Sequence, residues 1–71
     1  MPRLPVLSAP KLIKALARLG FVIVRQRGSH VFLQRGTDTT VVPFQDEIKK
    51  STLKRRLKQS NVTLEQLLDE L

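Results

Sequence analysis

Phe21-Val22-Ile23-Val24-Arg25-Gln26-Arg27-Gly28-Ser29-His30-Val31-Phe32-Leu33-Gln34-Arg35 is the stretch that decides how this chain folds. Its first four residues are aromatic and β-branched with no helical period, which predicts a strand that passes into Arg25-Gln26-Arg27 as it leaves the core. Gly28-Ser29 is a two-residue turn signal. Beyond it the alternation is clean, with His30, Phe32 and Gln34 facing one way and Val31, Leu33 and Arg35 the other. Gly36-Thr37-Asp38 turns the chain again, and Thr39-Thr40-Val41-Val42 reads as a third strand stopped by Pro43. Connections this short predict an antiparallel meander.

Outward from the meander both flanks read as helical. Residues 1–7, with Pro2 and Pro5, are expected to be extended, and Ser8 has the chemistry of an N-cap with Pro10 in the turn it caps. Leu12, Ile13, Leu16 and Leu19 then recur at helical spacing, opposite Lys11, Lys14 and Arg18, and Gly20 ends the run. After the meander, Asp46 to Lys50 reads as a polar link. Ser51 or Thr52 can cap a second helix reaching Ser60, with Leu53 and Leu57 inward, Lys54, Arg55 and Lys58 outward, and Asn61 as its stop. Thr63-Leu64-Glu65-Gln66 has the form of a capping box, opening a short last helix that carries Leu64, Leu67, Leu68 and Leu71. The expected fold is one α+β domain over residues 1–71: a helix, a three-stranded antiparallel sheet, a helix and a short C-terminal helix. Double-stranded-RNA-binding domains share this order, although order alone carries no function.

A chain of 71 residues can bury only a small core, about 60% of what its unfolded form exposes. The absence of cysteine excludes disulfides and thiolate metal sites and suits a reducing cytoplasm. The longest apolar run, Phe21 to Val24, is far below the roughly 20 residues needed to cross a bilayer, so no membrane partner is expected. Thirteen Lys and Arg against six Asp and Glu give a formal charge of +7, which makes nucleic acid the leading partner and an acidic protein the second.

Two groups of residues bear on chemistry. His30 is the sole histidine, the side chain type that exchanges protons near neutrality, and it follows Gly28-Ser29 with Arg25 and Arg27 close by. Gly28 lets another chain approach, Ser29 and its neighbouring N–H groups can donate to an oxyanion, and the arginines suit a phosphate. RNA phosphodiester cleavage needs a base for the 2′-hydroxyl proton, charge stabilisation at phosphorus and a proton for the leaving oxygen. One positioned histidine contributes about a hundredfold to ten-thousandfold to such a step. The bland alternative is a surface histidine at a strand start. The second group is basic: Lys49, Lys50, Lys54, Arg55, Arg56 and Lys58 lie at the start and along the second helix, where Lys49 and Lys50 add to the helix's positive end. This run reads either as a solvated face or as a phosphate-binding one. Scattered acids and a single histidine give no ligand spacing for a metal, and no cofactor motif is present. Three aromatics, all Phe, leave little for base stacking.

At these residues the chain resembles the HicA (YcfA-like) toxins. The resemblance is carried by Lys14-Ala15-Leu16-Ala17-Arg18-Leu19-Gly20-Phe21, Arg25 to Phe32, Val41-Val42-Pro43-Phe44, and Ile48 to Gln59, in order and spacing over about residues 8 to 68. It implies a double-stranded-RNA-binding-like fold, ribosome-independent mRNA cleavage, and neutralisation by a HicB-type antitoxin. The family's catalytic histidine falls on His30, with Gly28 and Ser29 matching its turn. Two positions depart from the pattern. Many relatives carry a second histidine where this chain has Gln45, which can hydrogen-bond a phosphate but cannot shuttle a proton at neutral pH, and many carry glycine at Ser51.

The reading taken forward is a metal-independent endoribonuclease of the cytoplasm. His30 is its acid or base, and Arg25, Arg27, Gln45, Lys49, Lys50, Lys54 and Arg55 contact RNA. An acidic antitoxin covers the His30 face. The rivals are a non-catalytic RNA-binding module of the same fold and a basic adaptor that docks an acidic protein.

Overall fold

Ser8 caps the first helix as its position requires: its hydroxyl accepts from the Lys11 N–H at 3.4 Å, and Pro10 sits in the first turn, where no N–H is needed. The computed structural model describes residues 6–71, so the extended conformation expected of 1–7 lies outside the described residues for positions 1–5. Helix α1 runs Ala9–Arg18 and turns Leu12, Ala15 and Leu16 inward. It ends where Gly20 takes φ 101°, letting the Phe21 N–H reach the Leu16 carbonyl at 3.0 Å and the Gly20 N–H reach Ala17 at 3.1 Å.

Strands β1 (Val22–Arg27), β2 (His30–Arg35) and β3 (Asp38–Pro43) form an antiparallel sheet in sequence order, with β2 in the middle. The alternation in β2 is as expected: Val31 and Leu33 are buried, and their partners Val42 and Thr40 in β3 are buried with them. Helix α2 (Lys50–Ser60) packs over β3, bringing Leu53 and Leu57 onto this face, and Leu12 and Leu16 of α1 complete the core. Helix α3 (Leu64–Asp69) adds Leu67; the reciprocal bonds between Thr63 and Gln66, at 3.1 and 2.9 Å, make the expected capping box. The architecture is therefore a two-layer α+β fold whose sheet keeps one face open. Among the described residues no helix is long and apolar enough to cross a membrane.

Four sequence expectations need correction. Val22, Ile23 and Val24 do not enter the core: they are 61%, 57% and 53% exposed, because the helical layer is centred on β3 and β1 lies beyond it. Only Phe21, just before β1, is buried, under the Arg35 guanidinium 4.7 Å from its ring centroid. Asp46 to Lys50 is not simply a polar link, for Ile48 is fully buried and its N–H donates to the Leu7 carbonyl at 2.8 Å. That clamp fixes where α2 begins. Lys49 is its N-cap, with a carbonyl that accepts from the Leu53 N–H at 2.8 Å, so Ser51 and Thr52 fall inside the first turn and cap nothing. Leu71 lies past the end of α3 and is 52% exposed.

Candidate active site

The β1–β2 hairpin closes through Gly28 and Ser29, and only the first of these has a positive φ, 56°, the pattern of a type II′ turn. Two further bonds hold the turn. The Ser29 carbonyl accepts from the Phe44 N–H at 2.6 Å, tying it to the end of β3, and the Gln26 amide donates to the Gly28 carbonyl at 3.4 Å. His30 is the first residue of β2, exposed, and placed between Arg27 on one side and Pro43 on the other in the strand register. Because Val31 points into the core, His30 points to the open face.

Arg25 and Arg27 share that face for a reason that lies in β1. Ile23 pairs with Leu33, Arg25 with Phe32, so Val24 is an extra residue, a β-bulge. Without an extra residue, Val24 would oppose Phe32, and Arg25 and Arg27 would alternate to the helix side. With it, Arg25 opposes Phe32 and Arg27 opposes His30, and both arginines join the histidine. The Arg25 guanidinium carbon stands 4.5 Å from the Phe32 ring centroid. Sequence alone places Phe32 with His30 but does not show this pairing; its one available signal is the break in β1 from three apolar residues to Arg-Gln-Arg.

The other named residues are placed apart from this trio. Gln45 follows Phe44 beyond Pro43, with its carbonyl accepting from Ala9 at 2.9 Å, and is exposed at the same end of the sheet as the hairpin turn. From there the chain crosses to the helical layer, where Lys49 and Lys50 open α2. Lys54 and Arg55, with Lys58, lie on the side of α2 opposite Leu53, Leu57 and Ser60, hence away from the sheet. These basic residues thus fall on two surfaces, one around His30 and one across the back of α2. Asp38 is at the far end of β3 from Pro43, about 17 Å along the strand by its rise per residue, too far to orient His30. It is bound to Arg35 at 3.3 Å. Arg35 is a fold residue, donating to the Leu19 carbonyl at 3.0 Å as well. Among the described residues, no three His, Cys, Asp or Glu side chains come together as a metal site.

An open sheet face with one histidine, two arginines and a backbone-braced glycine turn has the parts for proton transfer beside a bound phosphate. Comparison with known proteins bears on the same segment. Residues 9–62 match a protein family described as the HicA toxin of bacterial toxin-antitoxin, a span that includes all three strands, α1 and α2. No curated protein matches the chain.

Proposed function

Since the chain belongs to the HicA toxin family of bacterial toxin-antitoxin systems, whose members are generally mRNA-cleaving toxins, we propose that it cuts single-stranded mRNA by acid/base chemistry on His30, without a metal. The observation that carries this reading is the placement of exposed His30 directly opposite Arg27, with Arg25 one outward position further along the same strand pair. In this mechanism the neutral imidazole takes the proton of a ribose 2′-hydroxyl. The 2′ oxygen attacks the adjacent phosphorus, and the bond from phosphorus to the 5′ oxygen breaks. The imidazolium returns its proton to that leaving oxygen, giving a 2′,3′-cyclic phosphate and a free 5′-hydroxyl. Arg27 and Arg25 balance the charge that builds on the phosphorane oxygens, and Gly28 and Ser29 keep the approach open. Gln45 is a further hydrogen-bonding group for the backbone, while Lys49, Lys50, Lys54 and Arg55 attract phosphates further along the strand.

The antitoxin in this reading is a HicB-type protein with an acidic surface laid over the His30 face. Charge complementarity there would speed association and exclude RNA. A stable complex would bury roughly 1,200 Å² or more.

The test is cleavage of a long unstructured RNA in EDTA, comparing the parent chain with His30→Ala. We expect cutting by the parent alone, a loss of about a hundredfold or more, with circular dichroism unchanged because His30 is exposed and RNA affinity unchanged because the arginines and lysines hold the phosphates. Equal behaviour of the two chains would overturn the assignment and favour a binding module.

A further inference from the structure

Beside the candidate active site, on the same open face, the sheet carries a groove of about 440 Å³. Its lining includes the outward-facing residues Val24, Arg25, Phe32, Thr39 and Val41. We propose that this groove binds an unpaired nucleobase adjacent to the phosphodiester at His30, the base stacking on the Arg25 guanidinium where that group lies over Phe32; the proposal rests on the ribonuclease reading above.

The bulge at Val24 sets Val24 and Arg25 together against the single residue Phe32, so an apolar side chain and a cationic one flank one aromatic ring. Phe32 is half-buried while facing away from the core, and what covers it is Arg25, 4.5 Å above its centroid. A ring in that position does not serve the core, whose members are Val31 and Leu33 on the opposite face. It does hold a guanidinium in place. A delocalised cation resting on a ring offers a second stacking surface to a base, at less entropic cost than a free side chain. Val41 supplies an apolar wall, and the Thr39 hydroxyl can donate to or accept from a base edge.

The spacing suits a nucleotide as well. Phe32 is two residues from His30 on the same face, about 6.8 Å by the strand rise. A strand whose phosphate lies at His30 can place a neighbouring base over Arg25. Bases in a duplex are stacked on each other and closed to such a platform, so the ligand class is single-stranded RNA, although the fold is that of double-stranded-RNA binders.

The experiment uses the full chain with His30→Ala, which binds without turnover. Fluorescence anisotropy is measured on a short unpaired RNA and on the same backbone with abasic sites, over a salt series, with and without Phe32→Leu. Phe32→Leu is expected to weaken binding of the intact RNA about tenfold, within the roughly 5- to 160-fold that one stacked base contributes. The salt slope and the affinity for abasic RNA should stay unchanged. Arg25→Lys, which keeps the charge and loses the plane, is the second variant and should give the same discrimination between the two RNAs. Unchanged affinity for intact RNA in both variants, or equal weakening of intact and abasic RNA, overturns the proposal. Cleavage by the chain that retains His30 is scored separately, so an inactive parent would overturn the ribonuclease reading without mimicking either anisotropy result.

Discussion

Arg27 lies directly opposite His30 across the first hairpin, and it does so only because Val24 is bulged out of the ladder between Ile23 and Arg25. One extra residue shifts the alternation of everything after it, and so decides whether two arginines face the histidine or the helices. The charge around His30 is therefore a property of strand register as much as of composition.

Deleting Val24 should remove the bulge and leave a regular ladder in which Ile23 still faces in and Arg25 and Arg27 still face out. We expect the shortened chain to fold, with a salt dependence of RNA binding like that of the parent. Cross-strand nuclear Overhauser effects between positions 27 and 30 would check the register; their loss would show that the bulge is needed for more than phase.

Gly28→Ala tests the turn. The space around the added methyl is open, with nothing within 4 Å, so the cost is the left-handed φ of 56° alone. About 1 kcal/mol is expected for a non-glycine residue there, which in a domain of this size lowers Tm by roughly 4–8 °C. A thermal melt followed by circular dichroism measures it, and Gly28→Asn should lose less.

The offset of the helical layer predicts an unequal response in two paired residues. Leu33 is 1% exposed and Ile23, its partner in β1, is 57% exposed. Leu33→Ala should cost about 2–5 kcal/mol in urea unfolding, the range for emptied core sites, and Ile23→Ala less than about 1 kcal/mol by its remaining burial. Similar costs would mean that β1 is covered in solution.

The two basic surfaces are separable by salt. On a short single-stranded RNA, Arg27→Gln should reduce the slope of log affinity against log salt by about 0.7, the loss of one phosphate contact. The double change Lys54→Gln and Arg55→Gln, on the far side of α2, should leave that slope unchanged on the short RNA and reduce it on a long one. Equal effects on both lengths would mean that one RNA segment reaches both surfaces.

Sequence by itself determined what local chemistry controls. Ser8 and Thr63 start helices because a hydroxyl can satisfy a free N–H a few residues on, and Gly20 and Asn61 end them by accepting a positive φ, 101° and 62°. Gly28-Ser29 makes the hairpin, and the alternation that follows puts His30 and Phe32 on the face opposite Val31 and Leu33. The principal candidate, His30, and its turn were thus legible, because each depends on residues adjacent in the chain. Tertiary structure decided the rest. An apolar run such as Val22-Ile23-Val24 reads as core until a helical layer leaves it uncovered, and Ile48 reads as part of a polar link until Leu7, far away in sequence, clamps it. Whether Lys54 and Arg55 stand with Arg25 and Arg27 depends on which side of the sheet α2 packs. Whether those two arginines stand with His30 depends on a single unpaired residue in the ladder, and hydrogen-bond register is set between strands, not within one.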